Sequence, residues 1–316
     1  MPRNLIQAGS FEGRVIPRLS YSLVAIVTLP PFPLVCRQII GEAWTSLAAG
    51  ATLCLPHQDA IRGALAETLW KVQATHVTTT PALWATVPLP SDAPPLPPSL
   101  RCVALGGEAM PPPLLTCWAP KVPLFNIYGV TECTVYQASR RVASAAQGGH
   151  ADAAVEARLV GKPLEGCELL LLDKNWKEIP PPATGPPTAT SSGFADGITP
   201  NGSAHMSNLG QLAISGRQLA RGYWRLPDRT AAAFVWLPPD GTEVDDGSGT
   251  TAVGVVEDST HSAFRRLRPP KDWRRVYLTG DLAKWSDDGR WLVLCGRSDR
   301  QVRLLMTVFQ VQPAPS

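Results

Sequence analysis

The sequence is short of charge, of histidine and of long apolar runs. Charged residues make up 17% of its 316 residues, below the value of about 25% that is usual for globular proteins. The net charge is only +3, which gives no argument for nucleic acid or an anionic membrane surface as a partner. The apolar content of 44% nevertheless suffices for a packed core, so global disorder is excluded.

No apolar run is long enough to cross a membrane. The best candidate, at 23–27, is followed closely by Pro30 and Pro31, whereas a transmembrane helix needs about 20 apolar residues. We therefore predict a buried strand there and no membrane span. The start of the chain also has no recognisable targeting peptide.

Paired cysteines are lacking as well. The seven cysteines are scattered without a Cys-x-x-Cys pair and without metal-ligand spacing to the five histidines. Free thiols in a reducing compartment explain this pattern better than disulfides or a zinc site, so a cytoplasmic location is expected.

Proline and glycine, by contrast, are abundant, with 32 and 26 residues. They are concentrated at 91–99, 180–208 and 238–254, together with Ala, Ser and Thr. Such composition is typical of loops and insertions. No internal repeat is present.

The first half of the chain alternates between helical and strand patterns. Four helices are predicted, at 35–49, at 59–72 with Asp59 as its cap, and after Pro81 and Pro112; four strands are predicted at 51–55, 75–79, 100–105 and 122–126. This alternation indicates a parallel sheet, whose ligands bind beyond the carboxyl ends of the strands. Two polar stretches occupy such positions, GGE at 106–108 and YGVTE at 128–132.

After about residue 143 short strands predominate. They are predicted at 211–215, 275–278 and 290–294 and in a hairpin at 167–179, with one clear helix at 227–234. We therefore expect an α/β subdomain at 1–145 and a β-rich subdomain at 146–298, with loop insertions near 180–208 and 238–270.

The heptad NIYGVTE at 126–132 has the composition of a nucleotide site. Tyr128 offers an aromatic face, Gly129 lets backbone approach a ligand, and Thr131 and Glu132 supply a hydroxyl and a carboxylate. A stacking ring with hard oxygen ligands suits a nucleotide and Mg²⁺. A plain strand-to-helix turn is an equally good interpretation of the heptad alone, and it stays open at this point.

Five stretches occur in a fixed order over about residues 100–304: LGGE at 105–108, GKPL at 161–164, GQLAISGRQLARGYWRLPDRTAAAF at 210–234, YLTGD at 277–281 and GRSDRQV at 296–302. Together they resemble the motifs of the adenylate-forming superfamily, which includes acyl-CoA synthetases, luciferases and the adenylation domains of nonribosomal peptide synthetases. The sequences of the later stretches are most similar to those of the peptide-synthetase domains. The resemblance implies part of a large N-terminal domain, in which a parallel α/β subdomain precedes a β-rich distorted barrel.

The resemblance also implies a role for each matched residue near the adenine. Gly107 and Glu108 would lie against the base, and Tyr128 would stack on it. Asn126 and Gly129 belong to the same nucleotide-binding set.

The remaining implied roles concern the ribose, the phosphates and a hinge. Thr131 would contact phosphate, and Glu132 would help to hold Mg²⁺. Asp281 would accept hydrogen bonds from both ribose hydroxyls, with Arg297 facing the ribose and phosphate region. Asp299 would be the hinge to a small C-terminal lid, within a hinge and unrelated tail at 299–316. Without the resemblance, Asp281 reads as a turn cap and Arg297 as a solvated charge.

Three family features have no counterpart in the sequence. The phosphate loop TSGTTG.PKG, which grips the pyrophosphate end of ATP, does not occur. The catalytic lysine of the lid has no match, so no catalytic residue is assigned. If Glu42 marks the helix that follows the substrate-binding Asp of amino-acid-activating members, that Asp position holds Arg37, a cation that would repel an ammonium group.

The implied reaction joins a small carboxylic acid to ATP, giving an acyl-adenylate and pyrophosphate. The acyl group then passes to a thiol of CoA or of a phosphopantetheine carrier domain. ATP or AMP and Mg²⁺ are the implied cofactors. The chain by itself is expected to be inactive, as a truncated sequence or a degenerate relative. The alternative is a non-catalytic protein that binds a nucleotide or a partner.

Overall fold

A seven-stranded sheet forms the first half of the computed structural model, which describes residues 24–27, 37–88, 96–143, 152–182, 208–239, 272–298, 301–304 and 307–310. Its strands are β1 (Val24–Val27), β2 (Thr52–Cys54), β3 (His76–Thr79), β4 (Cys102–Gly106), β5 (Leu124–Tyr128), β6 (Ala138–Val142) and β7 (Lys162–Pro163). Their order is β2-β1-β3-β4-β5-β6-β7. The first five run parallel, and β6 and β7 are antiparallel to their neighbours.

Four helices connect the parallel strands: α1 (Arg37–Ala48), α2 (Gln58–Lys71), α3 (Pro81–Trp84) and α4 (Pro112–Trp118). Gly50, with φ +66°, follows the end of α1. The predicted cap of α2 was wrong, because the His57 ring accepts from Asp59 N and takes the cap position. Thr80 caps α3, accepting from Leu83 N at 3.2 Å, with Pro81 in its first turn.

The second half of the chain forms an antiparallel sheet. Its strands are β8 (Cys167–Leu172), β9 (Leu209–Gly216), β10 (Phe234–Leu237), β11 (Arg274–Trp285) and β12 (Leu292–Arg297). The long strand β11 pairs with β9, while its first half pairs with β10 and its second half with β12. Two short helices, α5 (Ala153–Glu156) and α6 (Pro227–Ala233), and the hairpin of β13 (Gln301–Leu304) with β14 (Thr307–Gln310) complete the described elements.

The two sheets are joined by backbone hydrogen bonds and by a cation–π contact of an arginine that also forms a buried ion pair. Val160 N donates to Leu292 O at 2.9 Å, so the segment before β7 pairs with β12. Arg140 of β6 forms a 2.8 Å salt bridge with the fully buried Glu156 of α5, and its guanidinium stacks on Trp291 at 4.3 Å. A charge pair out of water needs such geometry, and these contacts hold β6, α5 and β12 together.

The predicted architecture, a parallel α/β part followed by a β-rich part, is confirmed. The sequence did not predict β6 or β10, and it predicted only residues 275–278 of β11. The first sheet continues to Pro163 in β7; the subdomain boundary near 145 stays a prediction. None of the described helices has the length and apolar character of a transmembrane span. The six described cysteines are free.

Candidate functional site

Two loops leave adjacent carboxyl ends of the parallel sheet. Gly106 of β4 pairs with Ile127 of β5, so the residues that follow each strand emerge side by side. They are Gly107 and Glu108 after β4, and the loop from Gly129 onward after β5, whose last residue is Tyr128. Gly107 has φ +88°, a conformation that favours glycine at this turn. The sheet therefore places both predicted loops at the edge where ligands bind in folds of this kind.

Asp281 of the second sheet lies against this edge and is held on both of its oxygens. Tyr128 Oη donates to Asp281 Oδ2 at 2.5 Å, and Arg297 Nη1 donates to Asp281 Oδ1 at 2.6 Å. The Arg297 and Asp281 side chains are 17% and 14% exposed. Three residues predicted for one site, from β5, β11 and β12, thus form a single hydrogen-bonded chain across the two sheets.

A β-bulge sets the direction of Asp281. The pairing of β11 with β9 shifts between Leu278 and Leu282, and Gly280 within that interval has φ +74°. Thr279 Oγ1 donates to Leu212 O at 2.7 Å and accepts from Asp281 N at 3.0 Å. Bulges redirect side chains in this way next to functional sites. Asp281 belongs to a paired strand opposite Arg297, not to a turn.

The loop after β5 is organised by Gln137, which the sequence analysis missed. Gln137 is fully buried; its Oε1 accepts from Val130 N at 2.7 Å, and its Nε2 donates to Thr134 O at 3.3 Å. A Cβ on Gly129 would lie 2.6 Å from Val135 O, so packing inside the loop already requires glycine there. The sequence contains no clear indication of this role, because the following strand β6 reads ASRRV and has no apolar pattern.

Glu132 is held by a tyrosine from the second half of the chain. Tyr223 Oη donates to Glu132 Oε1 at 2.7 Å, and the hydroxyls of Tyr223 and Tyr277 are 3.5 Å apart. Burial, reinforced by the Glu132 carboxylate, raises the pKa of Tyr223 to about 12 and that of Tyr277 further, so both stay protonated donors at neutral pH. The neighbouring Thr131 is exposed.

This arrangement fits a magnesium ion that is shared with a phosphate ligand. Mg²⁺ is usually held by one or two carboxylates together with substrate phosphates. Within the described part of the chain, no group of three or more His, Cys, Asp or Glu forms a metal site of its own. Glu132, beside the exposed Thr131, would supply one hard oxygen ligand of the required kind.

Glu108 is half-buried next to the start of α3. Burial raises the pKa of Glu108, and hydrogen bonding to Thr80 and to the backbone of Ala82 offsets part of that rise. Its Oε1 is buried and has no hydrogen-bond partner among the described residues. Glu108 is therefore the least satisfied carboxylate of the candidate site.

The other predicted residues are distributed as follows. Asn126 Nδ2 donates to Leu159 O at 3.0 Å, which ties β5 to the segment that pairs with β12. Asp299, the predicted hinge, lies outside the described residues, as does the side chain of Arg37. The structure thus brings Tyr128, Asp281 and Arg297 into contact and joins Glu132 to a separate tyrosine cluster.

Solved structures with the same fold define the class of domain. Holo-PA1221, a nonribosomal peptide synthetase protein containing adenylation and PCP domains, superposes with a TM-score of 0.61 over 93% of this chain and 40% of its own, at 23% identity. The adenylation domain AlmE of Vibrio cholerae, solved with glycyl-adenosine-5′-phosphate, gives a TM-score of 0.60 over 92% of this chain and 43% of its own, at 21% identity. The fold is therefore that of part of an adenylation domain.

Sequence comparison identifies the family. The malformin synthetase mlfA of Aspergillus sclerotiicarbonarius is 30% identical over 264 residues, and that of Aspergillus homomorphus is 28% identical over 265. Each match covers 83% of this chain but only 4% of the relative. Residues 3–224 match the family model described as AMP-binding enzyme. The chain belongs to this family, and its predicted membership of the adenylate-forming superfamily is confirmed.

Proposed function

We propose that the chain supplies the nucleotide-facing part of a site that activates a small carboxylic acid with ATP. The reaction would give an acyl-adenylate and pyrophosphate, followed by transfer of the acyl group to a thiol. Support comes from the family membership and from AlmE, which was solved with an aminoacyl-adenylate. PA1221, with its PCP domain, supports a carrier domain as the thiol partner, and CoA is the alternative acceptor.

The anchored carboxylate of Asp281 is the observation that carries this proposal. Each oxygen of a carboxylate has two lone pairs, and here one lone pair on each oxygen already accepts from Arg297 or Tyr128. The second lone pair on each oxygen is left to accept a ribose hydroxyl, as the family role requires. Gly107 and Glu108 are proposed to lie against the adenine, on which Tyr128 stacks, and Asn126 and Gly129 are proposed to belong to the same nucleotide-binding set.

The phosphate side of the proposed site consists of Thr131, Glu132 and Arg297. Thr131 would donate to a phosphate oxygen, and Arg297 would face the ribose and phosphate. Glu132 would hold Mg²⁺, which supplies charge neutralisation at the phosphate oxygens. Asp299 is retained as the proposed hinge, and 1–145 and 146–298 as the proposed subdomains.

Calorimetric titration with AMP tests the role of Asp281. Asp281→Asn removes the charge that strengthens two hydrogen bonds to ribose, so AMP affinity should fall by about 30-fold or more. The matched control is Asp287→Asn, in the exposed turn between β11 and β12, which should bind AMP as the wild type does. Equal binding by Asp281→Asn and the wild type would contradict the proposal.

A second measurement separates catalysis from binding. Acid-dependent exchange of pyrophosphate into ATP reports adenylate formation directly. Exchange that Asp281→Ala abolishes would place the chemistry in this chain. AMP binding without exchange would instead restrict the chain to nucleotide binding, which is the outcome predicted from the sequence.

A further inference from the structure

Tyr223 Oη donates a hydrogen bond to Glu132 Oε1 at 2.7 Å, although the two residues are 91 positions apart in the sequence. Glu132 follows β5 in the first sheet, whereas Tyr223 precedes α6 in the second half of the chain. Within the described residues Glu132 forms no salt bridge, so its bonded partners are hydroxyl groups and not cations. Its negative charge is therefore oriented but not neutralised.

The segment before Tyr223 is fixed to the Glu132 loop by backbone. Ala220 N donates to Glu132 O at 2.8 Å, and Thr134 N donates to Gln218 O at 2.9 Å. Cys133 and Leu219 form a β-bridge between the two segments. The chain thus runs beside the loop over residues 218–220, two residues before Tyr223 is reached.

A second set of contacts fixes Tyr223 itself. Arg275 donates to Ala220 O and Arg221 O, both at 2.8 Å, while its guanidinium stacks on Phe234 at 4.7 Å. Tyr223 N donates to Thr230 Oγ1 at 2.9 Å. The Tyr223 ring packs edge-on against Phe234, with centroids 5.8 Å apart. Its hydroxyl therefore reaches Glu132 from a preorganised position.

We propose that Tyr223 is a positioning residue that orients the Glu132 carboxylate toward a divalent cation bound with the nucleotide phosphate. The proposal rests on the function proposed above for Glu132. Carboxylates that bind metals are commonly held by hydrogen bonds from neighbouring groups, and loss of such a group lowers metal affinity by about 10- to 100-fold. A neutral hydroxyl suits this role because it fixes the rotamer without competing for the charge.

The test uses the full chain, AMP and MnCl₂. AMP affinity is measured by calorimetry with and without Mn²⁺, and the ratio of the two dissociation constants gives the metal-dependent enhancement. Tyr223→Phe keeps the ring but removes the hydroxyl, so the enhancement should fall by about tenfold. AMP affinity without metal should stay within about twofold of wild type, because the adenosine contacts lie elsewhere.

The double variant shows whether Tyr223 acts through Glu132. Glu132→Gln should abolish the enhancement, and adding Tyr223→Phe to it should change nothing further. Tyr136→Phe removes a hydroxyl from a tyrosine in the loop before β6 and serves as the matched control. Near-ultraviolet circular dichroism verifies that each variant is folded.

The outcomes distinguish the inference from the function on which it rests. If the wild type shows no Mn²⁺ enhancement, both the metal role of Glu132 and this inference fail. If it does, an unchanged enhancement in Tyr223→Phe overturns the inference alone, as does an equal loss of affinity with and without metal. Should Tyr223→Phe not fold, full enhancement in Glu132→Gln would still overturn it.

Discussion

The candidate site holds its two central carboxylates in opposite ways. Asp281 is compensated by a cation, since Arg297 lies 2.6 Å away, and Tyr128 adds a neutral donor. Glu132 accepts from Tyr223 and is not paired with any cation of the described residues. The Tyr128–Asp281 and Tyr223–Glu132 hydrogen bonds both connect the first half of the chain to the second. The two carboxylates therefore share a structural role, but only the charge of Asp281 is compensated.

This difference matches two different tasks. A carboxylate that is already compensated has little left to attract a metal ion, but it remains a well-oriented acceptor for hydroxyl groups. A carboxylate with only neutral donors keeps its negative charge and suits a cation. We infer that Asp281 is arranged for a neutral ligand group and Glu132 for a charged one. Changing the partners separately tests this comparison.

The largest effect on stability is expected from Arg297→Met. It leaves Asp281, only 14% exposed, without its counter-ion, and breaking one side of a nearly buried pair costs about 2–3 kcal/mol. The free energy of unfolding, measured in urea, should fall by that amount.

Arg290→Met is the matched control for Arg297→Met. Arg290 is 75% exposed and lies 3.7 Å from Asp288, so its loss should change stability by less than about 0.5 kcal/mol. Equal effects of the two substitutions would show that Asp281 does not depend on its cation for stability.

A smaller difference, in the loss of unfolding free energy, is expected between Tyr128→Phe and Glu132→Gln. Tyr128→Phe deletes one hydrogen bond to the nearly buried Asp281 carboxylate and should cost about 1–1.5 kcal/mol. Glu132→Gln keeps an amide oxygen that accepts from Tyr223, so its cost should be about 0.5 kcal/mol or less.

Urea unfolding of both variants decides this second comparison. A larger cost for Glu132→Gln than for Tyr128→Phe would mean that the charge of Glu132 stabilises the fold. In that case the charge of Glu132 would already be compensated within the folded protein and would not be available to a ligand. The contrast with Asp281 would then fail.

The sequence predicted the parallel strands of the first sheet and their helices well because their signals are local. Pro81 and Pro112 open helices where expected, and the alternation of strands and helices indicated parallel pairing. The motif resemblance brought Tyr128 and Asp281 into one candidate site although they are 153 residues apart. That they share a hydrogen bond was not predictable, because pairing at this separation depends on strand register and on the bulge at Gly280.

The same limit explains the missed elements. β6 reads ASRRV, with two arginines, and one of them pairs with a buried glutamate that only the fold brings near. Gln137 is a buried polar residue whose partners are backbone groups of the preceding loop. Neither follows from hydrophobic periodicity, since in both cases a polar side chain occupies an interior position.

A smaller, pH-dependent effect is expected for Glu108, the third carboxylate, whose buried Oε1 has no hydrogen-bond partner among the described residues. Its pKa is raised in the folded protein above the ordinary value of 4.5, mainly by burial. The folded state then binds more protons than the unfolded state in the range above pH 4.5. Stability contributed by this residue is therefore present at low pH and is lost as pH rises through its folded pKa.

Glu108→Gln should remove this loss of folding stability at high pH, because the glutamine side chain does not ionise. Its free energy of unfolding should match that of wild type below about pH 4 and exceed it increasingly as pH rises to 7, by about 1 kcal/mol or less. Urea unfolding at several pH values measures the difference, with the exposed Glu165→Gln as control. A wild-type advantage that grows with pH would show that the ionised Glu108 is satisfied in the fold. The site would then contain three well-held carboxylates, and the contrast between Asp281 and Glu132 would rest on charge compensation alone.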